Sequence, residues 1–270
     1  MELRFWKMQG AGNDFILFDN REGRVKLDPA LVRRLCDRHR GIGADGIIAW
    51  RHCDSGRADW SWEFYNSDGS VGEMCGNGAR CFARFVQRCT GGNASSLRFE
   101  TLAGVVQARF SGEQVALQLT PPKDLRLHMQ LATRTGSLEV HAIDTGVPHA
   151  VIFVSDAEQA PVTSLGPEVR WHPLFAPRGT NVNFVQPMGP GRIRVRTFER
   201  GVEGETLACG TGVTASALIA AALHDYASPV QVRVQSGDTL LVAFRKAGHA
   251  FTDVELVGPA EFVFEGRILI

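Results

Sequence analysis

A chain of 270 residues, 44% of them hydrophobic, is long enough for one or two domains with a sizeable core. Lys plus Arg and Asp plus Glu each number 29, so the formal net charge is zero; neither the basic footprint of a nucleic-acid-binding protein nor a polybasic membrane patch is present. The start, Met1-Glu2-Leu3-Arg4-Phe5-Trp6-Lys7, lacks the apolar region of a signal peptide, and the longest uncharged apolar stretch, around Val213 to Leu223, is too short to span a bilayer, so a cytoplasmic protein is expected.

In chain order, Phe5 to Met8 and Phe15 to Phe18 read as strands joined by the glycine-rich turn Gly10-Ala11-Gly12-Asn13-Asp14. Asp28-Pro29 supplies an N-cap and a first-turn proline for a helix with Leu31, Val32, Leu35 and Cys36 on its apolar face and Gly41 as its stop. Gly41-Ile42-Gly43-Ala44-Asp45-Gly46 fits G-x-G-x-x-G, but a helix precedes it and the strand Ile47 to Trp50 follows. A dinucleotide site needs the reverse order, so a tight loop is expected. Trp60 to Tyr65 alternates as a strand and ends in the turn Asn66-Ser67-Asp68-Gly69. A helix from Ala79 to Cys89 follows, with Arg80, Arg84 and Arg88 forming a solvated edge.

Leu97 to Leu119 is strand-like until Thr120-Pro121-Pro122-Lys123 breaks it, a candidate crossover between domains. The second half has strands at Leu138 to Ala142, Val151 to Val154 and Ile193 to Phe198, with a loose helix at Ser164 to Trp171 and the stretch Gly179-Thr180-Asn181-Val182-Asn183-Phe184 before the last strand. Val213 to Leu223 carries no charge and reads as a helix buried all round. From Val230 onward, Val230/Val232/Val234, Leu240/Val242/Phe244, Val254/Leu256 and Phe262/Phe264 are strands.

Six cysteines stand at 36, 53, 75, 81, 89 and 209. No pair is spaced C-x-x-C, so no zinc or other metal site is expected, and a reducing compartment disfavours a disulfide framework. Cys36, Cys53, Cys81 and Cys89 are expected to be small buried apolar residues. The other two sit in matching stretches, Cys75-Gly76-Asn77-Gly78 and Cys209-Gly210-Thr211-Gly212, each opening an apolar helical run. The offset between them, 134 positions from 75 to 209, recurs from Gly12 to Gly146 and from Phe64 to Phe198. The chain therefore reads as an internal duplication: residues 1–120, joined by a last strand at about 262–270, and residues 121–261. The expected fold is α+β, with two pseudo-symmetric halves, each a strongly bent, mainly antiparallel sheet wrapped around a central helix.

A cysteine at a helix N-terminus gains thiolate character from the free amides and partial positive charge there. The neighbouring glycines allow close backbone approach, and paired helix starts hold a carboxylate well. One thiolate and one thiol on opposite sides of a substrate carbon is what stereoinversion needs: one removes a proton and the other returns one to the opposite face. His149 and Glu199 lie in polar loops and are candidates for setting the thiol protonation. A different class of function, a thiol redox or binding protein using Cys75 and Cys209 as a reversible disulfide, would show no proton exchange.

The motifs together are similar to those of the diaminopimelate epimerase family, cofactor-independent amino-acid epimerases. The matching stretches are Gly10 to Phe15, Tyr65 to Ser70, Cys75 to Cys81, Pro148-His149, Glu199-Arg200-Gly201 and Glu205 to Gly212, and they run over nearly the whole chain. The resemblance implies interconversion of LL- and meso-2,6-diaminopimelate, with Cys75 and Cys209 as acid and base and His149 and Glu199 tuning them. It implies that Gly76, Asn77, Gly210 and Thr211 hold the α-carboxylate. Asn13, Asn66, Asn181, Glu199 and Arg200 would make the other substrate contacts, Arg200 gripping the distal carboxylate. It also implies no cofactor, a small amino-acid substrate and a homodimer. Two positions depart from the family pattern: Gly46, where many members have Gln, and Val147, where many have Asn. They leave a racemase of histidine, proline or hydroxyproline as the alternative on the same scaffold.

Overall fold

A computed structural model describes residues 1–248 and 250–270. The chain divides into two compact units, Met1–Leu117 with Gly258–Ile270, and Gln118–Val257.

The first unit contains β1 (Glu2–Gly10), β2 (Asn13–Asp19), α1 (Pro29–Cys36), β3 (Gly46–Arg51), β4 (Trp60–Asn66), α2 (Gly76–Cys89), β5 (Ser96–Thr101), β6 (Gly104–Ser111) and β7 (Gln114–Gln118). β1 and β2 form a hairpin whose two loop residues, Ala11 and Gly12, have φ of 54° and 83°, the type I′ requirement that a glycine meets without strain. Pairing then runs β2–β3 parallel, β3–β4 antiparallel, β4–β5 parallel and β5–β6 antiparallel. Phe15-Ile16-Leu17-Phe18 and Ile47-Ile48-Ala49-Trp50 are buried without a break because the sheet is covered on both faces. On one face Ile16, Phe18, Ile47 and Ala49 pack with Val32 and Leu35 of α1. On the other, α2 lies against β1, β2 and β3, and Phe82 and Phe85 meet the rings of Trp62, Phe99 and Trp50.

The second unit contains β8 (Lys123–Thr133), β9 (Gly136–Asp144), β10 (Pro148–Phe153), α3 (Val162–Arg170), β11 (Asn181–Pro187), β12 (Arg192–Glu199), β13 (Gly204–Thr206), α4 (Gly210–His224), β14 (Val230–Arg233), β15 (Thr239–Ala247) and β16 (Ala250–Pro259). The chain ends in β17 (Glu261–Leu269), which returns to the first unit and pairs antiparallel with β1. The pairings are β8–β9, β9–β10, β11–β12 and β14–β15 antiparallel, β10–β11 and β12–β14 parallel. This repeats the ladder of the first unit, β17-β1-β2-β3-β4-β5-β6, strand for strand and direction for direction. The expected duplication and the mainly antiparallel sheet around a central helix are the observed architecture. The offset reaches the helices too: α2 starts at Gly76 and α4 at Gly210.

Central helix α4 is buried from Gly212 through Ala221, as its lack of charge indicated. Its Thr214 and Ser216 hydroxyls donate back to the carbonyls of Gly210 and Gly212 at 3.0 and 2.7 Å, satisfying polar groups that have no water to turn to. No helix among the described residues is long and apolar enough to cross a membrane.

Four sequence expectations need correction. Helix α2 begins at Gly76 and not at Ala79, because Cys75 already serves as its N-cap. Arg80 is not on a solvated edge: it is fully buried, donating to the carbonyls of Pro259 and Gly76 and to Asn77, while Arg88 is exposed. Cys36 and Cys81 are buried, but Cys53 is half-exposed beside Glu100 and Cys89 is exposed near the end of α2. β8 was not anticipated, although Leu125, Leu127, Met129 and Leu131 alternate through it with polar residues.

Candidate active site

Cys75 and Cys209 occupy the same position in their units. Each is the N-cap of the central helix with extended backbone, φ −141° and −109°. Each gives its carbonyl to the first intrahelical bond, from Ala79 and Val213, at 2.8 Å. The first turn of any helix leaves amides without an intrahelical acceptor and concentrates positive potential there. Gly78 and Gly212 permit these starts to sit close to the strands beneath. A Cβ on Gly78 would come 3.1 Å from Ile48, and one on Gly212 would come 2.3 Å from the Asn183 side-chain oxygen.

In the first unit, the half-buried Cys75 thiol lies 3.5 Å from the side-chain oxygen of Asn13, to which it donates. Asn77 donates to the same oxygen at 3.4 Å. Asn13 is oriented from behind by Asp45, which accepts its amide at 2.7 Å. Asp45 is in turn held by Arg38 at 2.8 Å, and Arg38 also grips Asp14 with two nitrogens, at 3.0 and 2.8 Å. Lys7 completes the group, 2.8 Å from Asp14 and bonded to the carbonyl of Gly43. Burial alone would raise the Asp14 pKa; the Arg38 and Lys7 bonds outweigh it and hold the carboxyl far below the usual range. The G-x-G-x-x-G stretch is therefore a loop, as its reversed context indicated, and its Asp45 anchors Asn13. Asn66, exposed at the end of β4 and paired in register with Gly46, donates to Ser70 within its own turn at 3.0 Å.

In the second unit, Cys209 is buried and its thiol is bonded to the carboxylate of Glu199 and lies 3.6 Å from the Thr211 hydroxyl. Thr206, on β13, also donates to the Glu199 carboxylate, at 2.8 Å. Desolvation raises the Glu199 pKa against these two bonds, so the carboxylate is a stronger base than a solvated one. Thr145 ties the β9–β10 turn to the carbonyl of Thr211 at 2.9 Å.

His149, at the start of β10, is fully buried, and burial with the nearby Arg200 charge pushes its pKa down to about 3. Its Nδ1 lies 3.2 Å from the amide nitrogen of Asn183. Asn181 links the surrounding loops: it donates to the carbonyl of Pro148 at 3.2 Å and accepts the backbone N–H of Arg200 at 2.8 Å. The Arg200 guanidinium makes one long bond, 3.4 Å to the carbonyl of Arg178, and among the described residues no carboxylate pairs with it.

Asp45, Arg80, Thr206 and Asn183 all hold expected site residues, Arg38 braces Asp45, and sequence reading singled out none of the five for that. Asp45 and Arg80 lay inside motifs already flagged; Asn183 follows Asn181 by the two-residue period of a strand and so shares its face. The Gly46 departure has a local cause, because a Cβ there would meet the Tyr65 carbonyl at 2.7 Å and the Phe64 ring at 2.9 Å.

The sequence profile of the diaminopimelate epimerase family matches residues 5–123 and 141–263. The chain belongs to the diaminopimelate epimerase family. A diaminopimelate epimerase from Aquifex aeolicus is 44% identical over 279 residues, covering 98% of each chain. Among solved structures, a PhzF-family phenazine biosynthesis protein from Bacillus anthracis superposes with a TM-score of 0.75 at 15% identity, covering all of both chains. A hydroxyproline epimerase from Agrobacterium vitis superposes at 0.70 with 18% identity, covering 99% of this chain and 92% of its own. These two likenesses are of fold.

Proposed function

We infer that the protein is a cofactor-independent isomerase that interconverts LL- and meso-2,6-diaminopimelate by a two-base thiol mechanism. The observation that carries the mechanism is that each of two repeated units caps its buried central helix with a cysteine.

The reaction inverts one α-carbon. One cysteine, as thiolate, takes the α-proton, and the other, as thiol, delivers a proton to the opposite face. The α-proton is weakly acidic, so the developing carbanion needs strong electrostatic help. We assign that help to the first-turn amides at Gly76, Asn77, Gly210 and Thr211, which would hold the α-carboxylate. Asn13, Asn66 and Asn181 complete the substrate contacts. Arg200, which pairs with no carboxylate among the described residues, grips the distal carboxylate in a bidentate pair. Glu199, bonded to Cys209, and His149 set the thiol protonation. No cofactor enters this scheme. We place the enzyme in the cytoplasm as a homodimer, on the strength of the family resemblance; light scattering tests the second point.

Incubation with LL-diaminopimelate in D₂O, followed by NMR, is the direct test. The expected result is deuterium at the inverted carbon and an LL/meso mixture, lost by about 10²- to 10⁴-fold in Cys75→Ala and in Cys209→Ala. Full activity in either variant sinks the two-base scheme, and exchange on a monocarboxylate in place of diaminopimelate moves the substrate.

A further inference from the structure

We propose that Asn183 is a positioning residue that fixes His149 as the neutral imidazole protonated on Nε2, so that His149 works as a hydrogen-bond donor that keeps its proton throughout turnover. The proposal rests on the reading of His149 as an active-site group.

The orientation of the Asn183 amide is decided by its neighbours. Its nitrogen lies 3.0 Å from the carbonyl of Ala150, which can only accept, so the NH₂ must face that way. Its oxygen accepts the Thr197 hydroxyl at 2.9 Å, which agrees. The second N–H then points at His149 Nδ1, 3.2 Å away. A ring nitrogen that accepts carries no proton, so in the neutral ring the proton is on Nε2.

The arrangement is rigid and dry. Asn183 and His149 are fully buried, and Thr197 nearly so. Asn183 belongs to β11, which pairs in parallel with β10, and it stands in register with Val151, two residues after His149. The same amide oxygen fills the space beside Gly212, three residues after Cys209. His149 Nε2 is buried with no hydrogen-bond partner among the described residues. Burying an N–H without an acceptor is costly, and that cost is recovered when an anionic group, a thiolate or a carboxylate oxygen, arrives to accept it. Arg200 stands close enough for its charge to act on the ring, and His149 also lines a cavity of about 140 Å³ whose charged residues are Asp124, Arg126, Asp144 and Arg178. Arg200 is the one whose charge reaches the ring, and it opposes a second proton there. A neutral donor stabilises an anion without competing for the substrate proton, so proton exchange stays on the cysteines.

The experiment is nitrogen NMR of the full-length protein labelled at histidine, with the His149 signals assigned by their loss in His149→Gln. The expected result is the Nε2–H form, unchanged from about pH 6 to 9. An Nδ1–H signal, or a charged ring in that range, overturns the proposal. Asn183→Asp supplies the functional readout, because a carboxylate can only accept and so demands a proton on Nδ1. It should move His149 to the Nδ1–H form and lower kcat by about 10- to 100-fold, the range for loss of an outer partner that orients a functional histidine, with KM little changed. Full kcat with the inverted tautomer overturns the proposal. If that variant does not fold, the wild-type spectrum alone decides. An Nε2–H signal in a wild-type protein that epimerises no diaminopimelate would count against the substrate reading and for the amide lock.

Discussion

Arg80 donates to the side-chain oxygen of Asn77 at 2.9 Å from a fully buried position one turn into α2. Its other nitrogens reach the carbonyls of Pro259 and Gly76, so one guanidinium ties the start of the central helix to the segment that leads into β17. Asn77 is thereby turned so that its own amide reaches Asn13. A lysine cannot reproduce that fork. Arg80→Lys should lose about 3 kcal/mol of unfolding free energy, the scale of one or two charge-assisted bonds left unmade in a buried site. Urea titration checks it; an unchanged midpoint would mean the fork is not needed.

Asp45 acts on Cys75 at one remove. It accepts from Asn13, whose oxygen faces the thiol. Asp45→Ala should lower kcat/KM by about tenfold, one hydrogen bond's worth of positioning, while the fold, whose core lies elsewhere, stays intact. Steady-state kinetics alongside circular dichroism separates the two effects. Arg38→Ala should act in the same direction and more weakly, because its head group is more than half exposed and screened by water.

Glu199 is a buried carboxylate with a raised pKa. Its folded-state pKa exceeds that of the unfolded chain, so the stability it contributes is present below about pH 4.5 and is lost as pH rises through the folded value. Glu199→Gln removes the charge and keeps an oxygen for Thr206. At pH 8 the variant should therefore melt at or above the wild-type temperature while epimerisation falls by about 10²- to 10⁴-fold. A lower melting temperature at pH 8 would show that burial does not disfavour the ionised form.

His149 gives the opposite slope. Its pKa is pushed down to about 3 from 6.5, so the unfolded chain binds a proton that the folded protein refuses. The stability tied to the neutral ring is complete above pH 6.5 and is lost as pH falls from there towards 3. Denaturation midpoints should decline through that window, and His149→Gln should flatten the decline. Equal slopes in the two proteins would place the acid sensitivity on other groups.

Much of the candidate site could be read from the chain because it is built from local motifs repeated at a constant offset. The Cys-Gly-x-Gly stretch opens an apolar run twice, 134 positions apart, and that repeat points to a duplicated fold without any knowledge of strand pairing. The apolar runs at Phe15 to Phe18 and Ile47 to Trp50 read as strands from the sequence, and the structure shows them covered on both faces. What periodicity could not give was the environment of a charge. Arg80, Arg84 and Arg88 share one helical stripe by spacing, yet only the tertiary structure puts Arg80 beneath carbonyls and leaves Arg88 in water.

The sequence by itself determined the repeated halves, the matching cysteine motifs and the family, because each depends on residues near one another in the chain or at a fixed offset. The tertiary structure alone decided how those residues are held. Asp45 reaches Asn13 across 32 positions, Asn183 reaches His149 across 34, and Glu199 meets Cys209 only because β13 folds back on β12. The reason is physical: hydrogen-bond partners and pKa shifts are set by distance and exclusion of water, and strand pairing brings together groups whose separation in sequence carries no trace of their contact.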